Sequence, residues 1–149
     1  IDFPFIGDIS NHSAEELEKS LLETMYNAPG IGLAAPQIGI SVRVFVYDNT
    51  EEPKGIFNPR IIGRSAETTK MEEGCLSFPN LICNIERPER IKVQFQDKLA
   101  KTYEQVYDGL TARIFQHEMD HLDGILFYNR LPRVEREMVL KKWRKKYGF

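Results

Sequence analysis

Apolar residues recur along this chain with two periods. Leu17, Leu21 and Met25 repeat at i, i+4 and i+8 and form one stripe, which predicts a helix. Ser13-Ala14-Glu15-Glu16 reads as a capping box, so the helix is expected to start after Ser13 and to end at Pro29-Gly30. Val42, Val44 and Val46 alternate with Arg43, Phe45 and Tyr47, which predicts a strand partly covered on both faces. Ile56 to Asn58 reads as a short strand stopped by Pro59. Ile91, Val93 and Phe95 alternate with Lys92, Gln94 and Gln96, and a turn near Asp97-Lys98 returns the chain through Lys101 to Tyr107 as a hairpin. A second helix is expected from near Gly109 to Leu122, with Leu110, Ile114, His117 and His121 on one side and Gly124 at its C-terminal cap. A third helix follows Pro132, with Val134, Met138 and Leu140 apolar among many charges. Strands and helices do not alternate as βαβ units, so the expected class is α+β with antiparallel sheet.

The length of 149 residues suits one domain, residues 1–149, and neither an internal repeat nor a linker interrupts it. With 42% hydrophobic and 28% charged residues, the composition is that of a soluble globular protein. No apolar run approaches the ~20 residues that span a bilayer, and no secretory signal opens the chain. The expected location is cytoplasmic, in a bacterial or phage-infected host, or organellar. The chain opens on Ile1 rather than Met, which leaves room for a longer lead-in or a transit peptide. Cys75 and Cys83 make no disulfide scaffold; a reducing compartment leaves Cys75 available as a thiolate, and Cys83 reads as a small buried hydrophobe.

Charge is unevenly spread. From Pro132 to Phe149, seven basic residues stand against Glu135 and Glu137, so a tail of +5 sits on a body of −7. The acidic body argues against a nucleic-acid role for the whole chain, while the basic end suits an anionic partner.

The sharpest chemical signal is His117-Glu118-Met119-Asp120-His121. On a helix, histidines four apart share a face and reach one metal, while the adjacent carboxylate lies close enough to move a proton. Taken alone, the pattern has a blander reading as three polar residues on a helix. A catalytic site needs a third ligand and an open position. Cys75 is the best candidate, in Glu73-Gly74-Cys75-Leu76-Ser77, where Gly74 lets a substrate approach the backbone. In Gly30-Ile31-Gly32-Leu33-Ala34-Ala35-Pro36-Gln37, small residues leave backbone groups accessible, and Gln37 is expected to be a buried, hydrogen-bonded amide.

GIGLAAPQ from Gly30, EGCLS from Glu73 and QHEMDHLDG from Gln116 resemble, in order and without a break at the key positions, the three signature motifs of the peptide deformylases. The chain departs from that family in a shorter N-terminal lead-in and in Ile82, where many members carry a large polar residue. The resemblance implies antiparallel sheets packed around a central metal-binding helix, with an N-terminal and a C-terminal helix. It implies hydrolysis of the N-formyl group from formyl-methionyl ends of nascent chains, releasing formate. Cys75, His117 and His121 would bind one divalent metal, ferrous iron in cells, with zinc, nickel or cobalt able to substitute. Glu118 would move the proton; the Gln37 amide and the Leu76 backbone N–H would steady the oxyanion. An extended peptide would pair with the backbone at Ile31 and Gly32, and Ile31, Leu110 and Ile114 would form the methionine pocket. Family members approach the ribosome through a C-terminal helix, which implies the same partner for the basic end here; the expected enzyme is a monomer with no membrane contact. Arg113 reads as solvated or ion-paired, ahead of lending its stem to the pocket; Asp120 as supporting the ligands or exposed; Glu73 as a structural ion-pair partner. Rival readings are a metallopeptidase drawing its third ligand from downstream, at Glu135 or Glu137, a non-catalytic peptide-binding relic, and a structural zinc protein.

Overall fold

The computed structural model describes the chain apart from residues 5–6, 29, 49–52, 76–77 and 148–149, and apart from the side chains of 7–12 and 53–54. Leu76 therefore lies outside the described residues. The helices are α1 (Gly7–Asn27), α2 (Gly109–Leu122) and α3 (Arg133–Tyr147). The strands are β1 (Gly32–Ala34), β2 (Val44–Asp48), β3 (Pro53–Arg64), β4 (Thr68–Cys75), β5 (Phe78–Pro88), β6 (Arg90–Gln96) and β7 (Thr102–Asp108). Among the described residues they form an antiparallel sheet in the order β1-β2-β3-β6-β7 and a separate β4–β5 hairpin. No helix of the described residues is long and apolar enough to cross a membrane.

The five-stranded sheet is a middle layer, and β2 shows why its pattern reads as covered on both faces. Val44 and Val46 pack with Leu21 and Met25 of α1, while Phe45 and Tyr47 pack with Phe115 and Met119 of α2. The hairpin is covered separately: Leu81, Cys83 and Ile85 meet Phe127, Leu131 and one face of α3.

Two expectations are corrected. α1 begins at Gly7, so Ser13 is interior to it and does not cap its start. β3 runs through Pro59 instead of stopping there. A register shift between Phe57 and Arg60 leaves Pro59 off the ladder, and Asn58 takes a left-handed conformation with φ 50°. The Asn58 side chain replaces lost ladder bonds, donating to Phe3 O at 3.1 Å and to Gln96 Oε1 at 2.9 Å. In α3, Val134 and Met138 are 71% and 67% exposed, and the packed face is Val139, Leu140 and Trp143. Trp143 sets the helix rotation by packing on Phe78 and donating to Pro79 O at 2.9 Å. The β4–β5 hairpin and β1 have no counterpart among the elements read from the sequence.

Candidate metal centre

α2 presents His117 and His121 one turn apart, their ring centroids separated by 5.1 Å. Cys75 arrives from the end of β4, with Sγ 3.3 Å from His121 Nε2. Donor atoms of all three residues lie within 4.8 Å of one another. Glu135 and Glu137 are exposed on α3 and stand outside this cluster.

Gln37 is half-buried beside the sulfur. Its Oε1 accepts the Ala34 N–H at 2.9 Å, which turns the amide nitrogen toward the cluster, where Nε2 lies 3.7 Å from Cys75 Sγ. Glu118 is only 3% exposed, and its Oε1 has no hydrogen-bond partner among the described residues. Burial pushes its carboxyl up to about 7, against the pull of His117 and His121. Gly32 makes the space: a Cβ there would meet Glu118 Oε2 at 2.7 Å. Gly32→Ala is therefore expected to displace the carboxylate and lower kcat/KM by about 100-fold, as misplacement of a reacting group does. Steady-state kinetics check it; a wild-type value would separate Glu118 from the reaction.

Behind these three residues lies a buried ion network. Glu73 accepts from Arg87 Nε and Nη2 at 2.6 and 2.9 Å and from Arg113 Nη1 at 2.7 Å. Burial opposes its ionisation, but His117, Arg87 and Arg113 outweigh this and hold the carboxyl at about 2. An ionised Glu73 only accepts, so His117 Nδ1 donates to it at 2.9 Å and Nε2 is left to face the ligand cluster. Glu73 is thus an ion-pair partner as read, and it also orients the His117 ring. Arg113 is ion-paired and buried rather than solvated; Asp120 is buried rather than exposed, accepting from Arg87 and Arg130. The sequence carries a signal for Arg87: it continues the inward phase of Leu81, Cys83 and Ile85, where a charge demands a buried partner.

The site favours positive charge. Burial alone would lower His117, yet its bonds to Cys75 and Glu73 and the nearby Glu118 raise it to about 10. Two imidazoles and a thiol around one point, with the buried Glu118 carboxylate beside them, are a donor set fitted to a divalent cation.

A cleft of about 500 Å³ opens over these residues. Ile31, Leu110 and Ile114 line it together with Gly32 and Gly74, and so do Met71 and Ile82, which sequence patterning does not place in the pocket. Ile31 and Ile82 are more than half exposed, so the cleft mouth is apolar and open to a partner.

The polypeptide deformylase family model matches residues 5–137. The chain is 47% identical over 131 residues to the peptide deformylase of Thermotoga petrophila, covering 86% of this chain and 80% of that one. Its fold is similar to the crystal structure of peptide deformylase from Thermus thermophilus, with a TM-score of 0.87 and 42% identity over 97% of this chain and 86% of that one. It is also similar to the peptide deformylase from Synechococcus elongatus in complex with actinonin, with a TM-score of 0.86 and 36% identity over 100% of this chain and 82% of that one. The chain belongs to the polypeptide deformylase family, metalloenzymes that hydrolyse the N-formyl group from newly made polypeptides.

Proposed function

We propose that residues 1–149 act as one catalytic domain in which Cys75, His117 and His121 hold a divalent metal and Glu118 carries the proton. The observation that carries this is the convergence of three ligand atoms within 4.8 Å beside a buried carboxylate, one oxygen of which has no hydrogen-bond partner among the described residues. The bound metal would supply Lewis acidity toward water and the formyl oxygen. Glu118, poised near neutrality by burial, takes the proton from the attacking water and returns it to the leaving amine. The Gln37 amide, its oxygen committed to Ala34, offers N–H to the developing oxyanion. The Leu76 backbone N–H is proposed as the second donor on the family resemblance. The soft thiolate and two imidazoles suit ferrous iron in cells, with zinc, nickel or cobalt as substitutes.

The substrate is read as an added strand on β1, the edge of the five-stranded sheet. Ile31 O already accepts the Asp48 N–H at 3.0 Å, so in the alternating phase of the ladder Gly32 is the residue that faces away from β2. Gly32 offers its backbone and Ile31 its side chain, while Gly74 keeps the opposite wall low enough for the peptide to pass. Leu110, Ile114 and Ile31 accept an unbranched apolar side chain. Formyl-Met peptides are expected to exceed formyl-Gly and formyl-Asp peptides in kcat/KM by at least about tenfold, the scale set by several buried methylenes. Equal values would return those residues to the core.

The enzyme is read as a monomer working where formylated chains are made, in the cytoplasm or an organelle. Lys141, Lys142, Arg144, Lys145 and Lys146 are exposed while Trp143 fastens the helix to Pro79. That arrangement supports docking to a polyanion such as the ribosome. Wild-type protein is expected to pellet with ribosomes at low salt and a variant with these five residues neutralised is not, without change in tripeptide turnover. Equal pelleting removes the ribosome from this reading.

A further inference from the structure

The apolar packing divides the proposed ligands between two bodies. α2 packs through Ala112, Ile114, Phe115 and Met119 against Phe45, Ile56 and Val93 of the five-stranded sheet. The β4–β5 hairpin packs through Leu81, Cys83 and Ile85 against Phe127, Leu131 and α3. Among the described residues, neither apolar cluster includes a member of the other's element. His117 and His121 ride on the first body and Cys75 on the second. The His117 ring touches Phe127, with centroids 5.8 Å apart, and the Gln116 amide donates to Pro88 O at 2.9 Å. The strongest links across the seam are buried ion pairs.

Arg113 does most of the spanning. It leaves α2 one turn before His117, and Nη1 donates to Glu73 Oε2 and to Ile85 O, each at 2.7 Å. Nη2 donates to Thr69 O at 2.7 Å and to Thr69 Oγ1 at 3.2 Å. One guanidinium therefore ties the histidine-bearing helix to both strands of the cysteine-bearing hairpin. Arg87 crosses in the opposite direction, from β5 to Asp120 of α2 at 2.9 Å. Burying a guanidinium is costly, and apolar contacts would join two surfaces more cheaply. Apolar contacts, however, are non-directional, whereas a planar fork with four bonds fixes distance and angle together.

We propose that Arg113 is a positioning residue that sets the separation between Cys75 and the two histidines, so that the ligand cluster is assembled before metal enters. This rests on the ligand set proposed above. Arg113→Met keeps length and leaves Glu73 bonded to Arg87 and His117, so no carboxylate is orphaned. Arg113→Lys can reach Glu73 but not the two carbonyls as well.

The test loads wild type, Arg113→Met and Arg113→Lys with cobalt(II). It reads the metal dissociation constant by chelator competition, the thiolate-to-cobalt charge-transfer absorption at full loading, and the Tm of the metal-free protein. Affinity is expected to fall about 10–100-fold in Arg113→Met, as for loss of other groups that orient ligands, with a weakened charge-transfer band; Arg113→Lys falls between. Wild-type affinity and band in both variants, with only a lower Tm, would make Arg113 structural glue and overturn the proposal. If Arg113→Met does not fold, Arg113→Lys decides alone, by loss or retention of affinity and band. A wild-type cobalt protein without the band overturns the ligand set and this proposal with it, whereas an unchanged band in the variants overturns this proposal alone.

Discussion

Metal-loaded Glu118→Ala is expected to keep its metal and lose about 10²–10⁴-fold in kcat, the range for removal of a positioned proton carrier. Glu118 sits beside two of the proposed ligands without being one of them, so binding and chemistry separate at this residue. Its oxygen Oε1 is buried without a hydrogen bond among the described residues, a condition that costs stability in the resting protein. The substitution is therefore expected to leave the Tm unchanged or higher while activity collapses, as happens where function is held against stability. Glu118→Gln, close in shape but unable to carry the proton, should lose turnover too. Formate release at saturating substrate, alongside elemental analysis of the same samples, checks both halves. Near-normal turnover in either variant would remove Glu118 from the mechanism.

Cys75→Ala, His117→Ala and His121→Ala are each expected to fall from one equivalent of metal to a small fraction after desalting. Two remaining ligands give neither the count nor the closure of a three-ligand site. His117→Ala carries an added effect, because it removes a donor from Glu73. That carboxylate retains Arg87 and Arg113, so the fold should survive while the metal does not. Elemental analysis reads the result directly. A full equivalent in the Cys75→Ala protein would replace the proposed set with another, such as the two-histidine arrangement of the metallopeptidases.

Much of this site is legible in the sequence because its chemistry depends on short spacings. His117 and His121 need only a helix to share a face, and α2 has the predicted bounds. Cys75 is nameable from its motif, but its approach to His121 depends on the β4–β5 hairpin, which the sequence pattern does not disclose. That hairpin is irregular: a register shift separates Glu73 from Cys75, and the inward phase of β5 ends on charged Arg87. The alternation puts Arg87 in the inward phase, but it does not name the buried partners, Glu73 and Asp120, which only the fold brings to it. In α3 the apolar residues Val134 and Met138 are exposed, because Trp143 and its bond to Pro79 set which face packs. β3 reads too short for the complementary reason. Pro59 is a strand breaker in a regular ladder and not in a bulge that Asn58 completes with its side chain. The reach of Arg113 across to Thr69 and Ile85 depends on tertiary placement alone, and no local spacing encodes it.

With a metal in it, this cluster is expected to hydrolyse the formyl group. The measurement is anaerobic incubation of the wild-type protein with a formyl-Met tripeptide, before chelation, after chelation, and after ferrous ion is restored. The expected result is one formate for each free amine, no cleavage of internal peptide bonds, loss of release when the metal is removed, and recovery when it is returned. Undiminished formate release from protein shown to be metal-free would take the metal out of the reaction.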